Sequence, residues 1–370
     1  MPRKKPFPGK EIFMKKFFAM VLALLMVVTM VVSCGKKEEE QSSVIESSVV
    51  SEAGSSAEES AGYDAYNIAN IYGTITGDYW GIVYNGCTTA LEELEAAYGV
   101  TGYCVAPANS EPTAQMDLIE AAVIKGVDGI VLSNVNADSI GTFVDDYFNE
   151  DNWTPIILID RSMNSTSDVV VSKLMSPTYE MGQKAGEIAI EAMDGKGTYC
   201  CLGISPENEN WVARSKGAKD YITENAPDMV SVNDDHAFWM ETVLEDQRLQ
   251  YISDVITSNP GPLVFVCATE GYTNNAVAMI NEVSEERRKE ISVVGFDFSK
   301  TGMSLLEAGY LYGSVGQNPY LMGYNAVYAM CDYLRDGEIE MDQIVPYCVV
   351  KQDNLESPEV QEYLASMKIA

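Results

Sequence analysis

The sequence predicts an α/β protein of two lobes, each a parallel sheet flanked by helices. Short apolar runs alternate with amphipathic segments from about residue 66 to residue 350, which is the pattern of strand–helix–strand units with parallel strands. There are more such units than one sheet comfortably holds, so we expect two similar sheets. Two of the strands end in an acidic residue, Asp160 and Asp297, at the sheet edge where open α/β sheets bind small ligands.

The clearest strand is the apolar run 156–159, which follows a proline and ends in Asp160 and Arg161. A short continuous apolar run is typical of a strand that is buried on both faces. A second run, 292–296, ends in the same way in Asp297. We expect the two strand ends to face each other across a cleft that carries the function.

The other elements follow from apolar periodicity, as in the helical spacing of Leu91, Leu94 and Tyr98. The predicted strands are 66–74, 101–106, 129–132, 156–159, 198–202, 229–232, 263–267, 292–296, 313–316 and 344–350. The predicted helices are 79–98, 111–125, 137–149, 181–193, 213–225, 244–257, 274–283, a short one around 305, and 321–334.

The amino terminus predicts export and lipid anchoring. Residues 1–16 are basic, residues 17–32 are apolar apart from one threonine, and a small residue precedes Cys34. This order is that of a secretory signal, and the cysteine resembles a bacterial lipobox, which implies that Cys34 is diacylated and becomes the first residue. The apolar run is shorter than the roughly 20 residues of a membrane span. We expect residues 1–33 to be the signal peptide, with 1–13 an extension from an upstream start codon.

Residues 34–63 are rich in Ser and Glu and are expected to form a flexible tether, because such a composition cannot bury a core. The protein would then lie outside the cytoplasm, held at the cell membrane as a lipoprotein.

Composition excludes several classes of function. The formal net charge of −31 argues against nucleic acid as a partner. The single histidine, His236, cannot build a histidine-rich metal site, and a Ser–His triad would have to use it. We therefore expect no metal, no cofactor and no enzyme activity. The seven cysteines after Cys34 are odd in number and lack paired spacing, so they are interpreted as small buried hydrophobic residues rather than a disulfide framework.

Six short motifs in a fixed order resemble the ribose- and galactose-type sugar-binding proteins of bacterial ABC importers, the type I solute-binding proteins. The resemblance covers about 66–350. The motifs that carry it lie at 77–80, 126–132, 157–161, 213–217, 293–297 and 315–319.

This resemblance implies two Rossmann-like lobes joined by a three-crossing hinge, the type I periplasmic-binding-protein fold. The amino-terminal lobe would comprise 64–174 plus 318–346, and the carboxyl-terminal lobe 175–317 plus 347–370. The crossings are expected near 173–175, 317–318 and 346–348. A ligand would bind between the lobes, and the hinge would close on it.

The resemblance also implies a set of ligand-binding residues. Carboxylates, guanidiniums and an amide would bond to hydroxyl groups, and aromatic faces would pack on a sugar ring. For each side chain the alternative is a surface salt bridge, a helix cap or core packing. The predicted ligand-binding residues are Asp78, Tyr79, Trp80, Asp160, Arg161, Arg214, Trp239, Thr269, Asp297 and Gln317. Phe238 and Trp211 are further aromatic candidates.

Two departures from the family pattern leave the ligand open among pentoses, hexoses, furanoses and nucleosides. Ala268-Thr269-Glu270 stands where polar residues such as Asn-Asp are usual, and Ser176-Pro177 stands near the first crossing.

The leading hypothesis is a monomeric, lipid-anchored solute-binding protein that delivers a sugar or sugar-like ligand to an ABC permease. The alternative is a receptor that docks on a membrane histidine kinase or chemoreceptor and reports the same ligand. A secreted glycosidase that uses Asp160 and Asp297 as paired carboxylates and a repressor effector domain are the less favoured classes.

Overall fold

The computed structural model describes residues 62–203, 208–233, 238–239 and 244–367. The predicted signal peptide, Cys34 and nearly all of the predicted tether lie outside these residues. Residues 61–370 form one compact unit. Within the described part of the chain, no helix combines the length and the apolar character that crossing a bilayer requires.

The strands are β1 (Asn67–Ile71), β2 (Thr101–Val105), β3 (Gly129–Leu132), β4 (Ile156–Ile159), β5 (Val170–Met175), β6 (Gly197–Gly203), β7 (Met229–Ser231), β8 (Phe238–Trp239), β9 (Leu263–Cys267), β10 (Ile291–Phe296), β11 (Gly313–Gln317), β12 (Asp342–Ile344) and β13 (Tyr347–Lys351). The helices are α1 (Asp78–Tyr98), α2 (Pro112–Lys125), α3 (Ala137–Tyr147), α4 (Thr178–Ala192), α5 (Glu209–Asn225), α6 (Glu245–Ser258), α7 (Glu270–Ile280), α8 (Glu285–Arg288), α9 (Lys300–Glu307), α10 (Pro319–Asp336) and α11 (Pro358–Ser366).

Two sheets organise the chain. The first has the order β12-β5-β4-β3-β1-β2, and all of its pairings are parallel. The second has the order β13-β11-β10-β9-β6-β7, with β8 beside β6, and only β13 pairs antiparallel. The prediction of an α/β protein with two parallel sheets flanked by helices is confirmed.

Strand β4 shows why the first sheet is buried on both faces. Ile157 and Ile159 pack into the core on one side of the sheet, and Ile156 and Leu158 pack into the core on the other side. All four side chains are fully buried. The continuous apolar run is therefore explained by helices on both faces, as expected for parallel sheets.

The chain passes between the sheets at three points: after β5, after β11, and between β12 and β13. The sequence prediction of a single last strand over 344–350 is wrong, because its two halves belong to different sheets. Val345 donates its N–H to Met175 in the first sheet, and Pro346 has no N–H with which to continue a ladder. The strand therefore ends before Pro346, and the chain makes its third crossing there, from the first sheet to the second. The residue boundaries of the two lobes stay a prediction.

Helices α1 and α10 cross at very short distance over the first sheet. A Cβ atom on Gly86 of α1 would lie 2.0 Å from the carbonyl oxygen of Tyr320. A Cβ atom on Gly323 of α10 would lie 2.1 Å from that of Val83. Only glycine permits this approach. The contact holds the first turn of α1 at the edge of the sheet where β4 ends.

We expect Gly86→Ala to lower the free energy of unfolding by about 2 kcal/mol, because its methyl group would force the two helices apart. The matched control is Gly81→Ala in the same helix, where a Cβ atom has no neighbour within 4 Å. This control should be neutral or stabilising by up to about 1 kcal/mol, since alanine is the better helix former. Urea denaturation of both variants measures the difference, and equal midpoints would contradict the close helix contact.

Candidate functional site

Asp160 and Asp297 end equivalent strands in the two sheets, and both have a left-handed backbone. Their φ angles are 65° and 61°, a conformation that aspartate tolerates better than most residues. It turns the chain sharply at the carboxyl ends of β4 and β10. Residues held in such conformations cluster at functional sites, so these turns mark where the site should be sought.

The structure brings both strand ends into one cavity of about 150 Å³. This volume is below the range of roughly 300–1,000 Å³ that drug-sized ligands occupy, so the cavity suits a small ligand. Of the residues predicted from the sequence, the ones that line it are Tyr79, Trp80, Asp160, Arg161, Trp211, Arg214, Thr269, Asp297 and Gln317.

The Asp160 carboxylate lies at the centre of the side of the cavity that the first sheet supplies. The Tyr79 hydroxyl donates to its Oδ1 at 3.0 Å, and Arg161 Nε lies 3.5 Å from its Oδ2. The side chain is only 11% exposed. Burial raises the pKa of Asp160 above its usual value, and the Asp297 charge adds to this, while Arg161, Tyr79 and Arg214 act in the opposite direction. The ionised carboxylate is therefore held at a cost in the folded protein.

Arg214 is the corresponding cation of the second lobe, and its side chain is 3% exposed. Its Nη1 donates to the carbonyl oxygen of Ala268 at 2.9 Å and lies 3.7 Å from Asp297 Oδ2. The guanidinium sits over the Phe296 ring, 4.9 Å from the centroid. Its Nε is buried and has no hydrogen-bond partner among the described residues. An unpaired buried donor is costly, so an acceptor on a ligand would relieve it.

Asp297 is oriented by its neighbours on β11. Gln317 Nε2 donates to Asp297 Oδ1 at 2.7 Å, and the Ser314 hydroxyl donates to the Asp297 carbonyl at 2.7 Å. Gln317 is in turn fixed by the Tyr363 hydroxyl, which donates to its carbonyl oxygen at 2.9 Å. Together with Arg214, these bonds leave Asp297 few ways to rotate.

The start of α5 contributes a contact between the lobes that sequence reasoning missed. Asn210 Nδ2 donates to the carbonyl oxygen of Asp160 at 2.7 Å. Nearby, the Ser162 hydroxyl donates to the Glu209 carboxylate. Asn208 caps the helix by accepting from the N–H groups of Asn210 and Trp211. Asn208, Asn210 and Trp211 also line the cavity.

The sequence prediction began this helix at residue 213, four residues late. Asparagine is a favoured N-cap residue and glutamate favours the first turn, so Asn208-Glu209 was the available signal. Trp211 consequently lies inside the helix, one turn from Arg214, and not before it.

The aromatic wall consists of Tyr79 and Trp80, whose rings meet edge to face with centroids 5.3 Å apart. Trp80 is backed by Tyr72, at 5.8 Å between centroids. Burial, followed by the charges of Asp160 and Asp297, raises the pKa of Tyr79 well above its usual value. Its hydroxyl therefore stays a donor. The stacking of these rings on a ligand stays a prediction.

One predicted residue, Asp78, does not line this cavity. Asp78 is exposed and lines a neighbouring hollow of about 20 Å³. The backbone of Phe238 and Trp239 forms β8 beside the end of β6, and their side chains lie outside the part of the structure that is described, so the role predicted for Trp239 stays a prediction.

The departure at Ala268-Thr269-Glu270 has a structural explanation. The Ala268 carbonyl holds Arg214, and Thr269 lines the cavity. The Glu270 carboxylate accepts from Ser299 N and Oγ and from Gly302 N, and so caps α9. At the first passage, Ser176 Oγ is buried without a partner among the described residues.

A larger cavity, of about 430 Å³, lies in the second lobe beside Glu191, Tyr312 and Lys351. Lys351 Nζ is 2.8 Å from Glu191 Oε2, and the Tyr312 hydroxyl donates to Glu191 Oε1 at 3.2 Å. These polar groups are paired with one another. They lie where β11 begins, at the opposite edge of the sheet from Asp297.

The charges around the smaller cavity balance. Among its described lining residues, Asp160 and Asp297 face Arg161 and Arg214. The cavity therefore offers carboxylate acceptors and guanidinium donors, but the charges of these lining residues cancel and would not attract an ion. It is suited to a neutral ligand rich in hydroxyl groups, because charge-assisted hydrogen bonds are roughly twice as strong as neutral ones.

Residues 68–339 match the family model of the periplasmic binding protein domain. The chain is 26% identical to the D-apiose import binding protein of Paraburkholderia graminis over 223 residues. This match covers 60% of this chain and 68% of that protein. The chain is 20% identical over 250 residues to the xylitol-binding protein of Mycolicibacterium smegmatis, covering 67% and 68% respectively. The crystal structure of a carbohydrate transporter solute binding protein from Agrobacterium radiobacter has the same fold, with a TM-score of 0.66, 24% identity, and coverage of 80% of this chain and 98% of that one.

We expect Asp160→Asn to raise the melting temperature of the ligand-free protein at pH 7. The pKa of Asp160 is raised by folding, so this group's contribution to stability is present at acid pH and is lost as the pH rises through its folded-state pKa. The amide cannot ionise, so it avoids that loss. The gain should therefore shrink as the pH is lowered.

The matched control is Asp194→Asn, because Asp194 also has a positive φ, 49°, but is exposed and does not line the cavity. Thermal denaturation of both variants between neutral and acid pH tests the prediction. A gain in stability at Asp160 that does not depend on pH would show that its ionisation is not the cause.

Proposed function

The chain belongs to the family of periplasmic binding protein domains, and we propose that it captures a sugar or sugar-like ligand between its two lobes and delivers it to an ABC importer. Both relatives described above are named as binding proteins, and this family acts outside the cytoplasm. The observation that carries the proposal is the cavity of about 150 Å³ in which Asp160 and Arg161 meet Arg214 and Asp297.

The chemistry of the cavity supports a polyhydroxylated ligand. The carboxylate oxygens would accept from hydroxyl groups, and the unpaired Arg214 Nε would donate to a hydroxyl or ring oxygen. The faces of Trp80 and Trp211 would contact the C–H surface of the ligand. Because two acids balance two guanidiniums, a neutral sugar or alditol is favoured over a sugar acid or an amine.

The size of the cavity and the relatives narrow the ligand class. About 150 Å³ leaves room for one small ring or a short alditol and not for an oligosaccharide. Two relatives carry the names of D-apiose and xylitol, which are both five-carbon compounds. We therefore propose a pentose or a related alditol as the ligand class.

Both lobes contact the cavity, so a bound ligand would bridge them and favour the closed arrangement. The bonds from Asn210 to Asp160 and between Ser162 and Glu209 already join the lobes there. A ligand that bonds to both sides binds the closed form more tightly than the open form and shifts the population toward it. Closure would then present the loaded protein, as a monomer, to a permease.

A thermal-shift screen against pentoses, hexoses, alditols, disaccharides and nucleosides tests the proposal. A ligand at 100 times its dissociation constant should add about 2.7 kcal/mol of stability. We expect a hit among the pentoses or alditols, with disaccharides silent. No stabilisation by any member of the panel would contradict a sugar site.

The hit should then bind Asp160→Asn roughly 10- to 100-fold more weakly in calorimetry, since a hydrogen bond to a charged group contributes about 1.5–3 kcal/mol. Asp194→Asn should bind as the unmodified protein does. Uptake of the radiolabelled hit by cells with and without the protein separates delivery to a permease from signalling to a membrane kinase, because the kinase receptor would bind without supporting uptake.

The membrane attachment is proposed from the sequence alone, since Cys34 lies outside the described residues. A basic segment, an apolar run and a small residue before Cys34 together form a lipoprotein signal. Two acyl chains on this cysteine would anchor the protein stably, and the predicted tether, residues 34–63, would separate the folded unit from the membrane.

We expect Cys34→Ser to move the protein from the membrane fraction to the soluble exported fraction, with loss of labelled palmitate. Cys348→Ser, at a buried strand position, is the control and should stay membrane-bound and labelled. A Cys34→Ser protein that remains in the membrane fraction would contradict lipid anchoring at this residue.

A further inference from the structure

Two cysteines that are distant from each other in the first-lobe sequence meet behind the aromatic wall. Cys87 lies on α1 and Cys104 on β2. Their Sγ atoms are 3.1 Å apart, in direct contact. Both are free thiols in the structure. Their spacing along the chain offered no signal of pairing, because one belongs to a helix and the other to the edge strand beneath it.

The two thiols differ in their chemistry. The hydrogen bond with Cys87 lowers the pKa of Cys104, and Tyr72 acts in the same direction, although burial opposes both. Burial raises the pKa of Cys87 well above its usual value. Cys104 is partly exposed, whereas Cys87 is buried. Cys104 is therefore the thiol that reaches the thiolate form and that an oxidant can approach.

We propose that Cys87 and Cys104 form a disulfide that fastens α1 to β2 in the exported protein. Proteins outside the cytoplasm meet oxidising conditions, in which disulfides form and persist. The contact between the sulfur atoms means that only a small adjustment separates the free thiols from the bond.

The oxidant is a low-molecular-weight disulfide, and the reaction balances in two exchange steps. The Cys104 thiolate attacks one sulfur of that disulfide, forms a mixed disulfide and releases one small thiolate. Cys87 then loses its proton to solvent and attacks the Cys104 sulfur, which releases the second small thiolate. The protein loses two hydrogen atoms, and the small disulfide becomes two thiols.

The bond would lie directly behind the ligand cavity. The Tyr72 hydroxyl is 4.0 Å from Cys104 Sγ, and the Tyr72 ring is 5.8 Å from that of Trp80. Trp80 and Cys87 are seven residues apart on α1, which places them on one face of the helix. A covalent link at Cys87 would therefore hold the helix face that carries Trp80.

The other described cysteines provide the contrast. Cys200 and Cys201 are neighbours on β6 and pack into cores on opposite faces of the second sheet. Burial raises the pKa of Cys201 to about 12, and that of Cys331 on α10 to about 12. Such thiols are inert. Cys331 packs in the same first-lobe core as Cys87, which makes it a matched control.

The test is peptide mapping of the purified mature protein after incubation in oxidised or reduced glutathione, with free thiols alkylated before digestion. We expect a peptide linking Cys87 to Cys104 in the oxidised sample, and both residues alkylated in the reduced one. Alkylation of both in the oxidised sample, or a link from either to another cysteine, would overturn the proposal.

Melting temperatures provide a second readout that needs no ligand, so its outcome is independent of the proposed sugar binding. Reduction should lower the melting temperature of the oxidised protein by about 5 °C, because the disulfide restrains the unfolded chain. Cys104→Ser should abolish this response, and Cys331→Ser should keep it. If Cys104→Ser fails to fold, the peptide map of the unmodified protein decides. A response to reduction that survives Cys104→Ser would count against the link.

Discussion

The left-handed turns at Asp160 and Asp297 are the constraint on which the cavity depends. Each turn ends a doubly buried strand and places a carboxylate at the sheet edge, where it meets a buried or half-buried guanidinium. A glycine would make either turn more easily but would leave no acceptor. Aspartate combines a tolerated left-handed backbone with a charge, so the same residue shapes the chain and supplies the chemistry in both lobes.

Asp160 and Arg214 both carry a polar group whose burial is costly and that a bound ligand could stabilise by a hydrogen bond. Burial opposes ionisation of Asp160, and Arg214 holds a buried Nε without a partner among the described residues. A scaffold that satisfied both groups internally would be more stable, but it would bind hydroxyl groups less well. Proteins commonly have lower stability at a binding site than the same fold could reach, because the groups that bind the ligand are left without internal partners. Here it lies in polar groups whose missing partners a neutral, hydroxyl-rich ligand could supply.

Sequence patterns predicted a strand whose residues are all apolar and missed one in which polar residues interrupt the apolar run. The run 156–159 has four buried apolar residues and was placed correctly. Strand β5 was missed because Ser172 and Lys173 interrupt its apolar pattern. The structure shows how the buried serine is accommodated: its hydroxyl donates to the carbonyl oxygen of Glu340 and accepts from Gln343 Nε2 on β12. Asn210 was missed for a different reason: its contact is with a backbone carbonyl in the other lobe, which no local pattern encodes.

The side chains of the cavity are positioned by rigid helix pairs as well as by strand ends. In the first lobe, Gly86 lets α1, which carries Tyr79, approach α10. In the second lobe, Gly182 of α4 has the same role, because a Cβ atom there would lie 2.3 Å from the carbonyl oxygen of Arg214 itself. Sites built on packed elements hold their geometry better than sites built on loops. Each half of the cavity is therefore held by packed elements of its own sheet, and the ligand-driven closure proposed above would bring two preformed halves together without rebuilding either one.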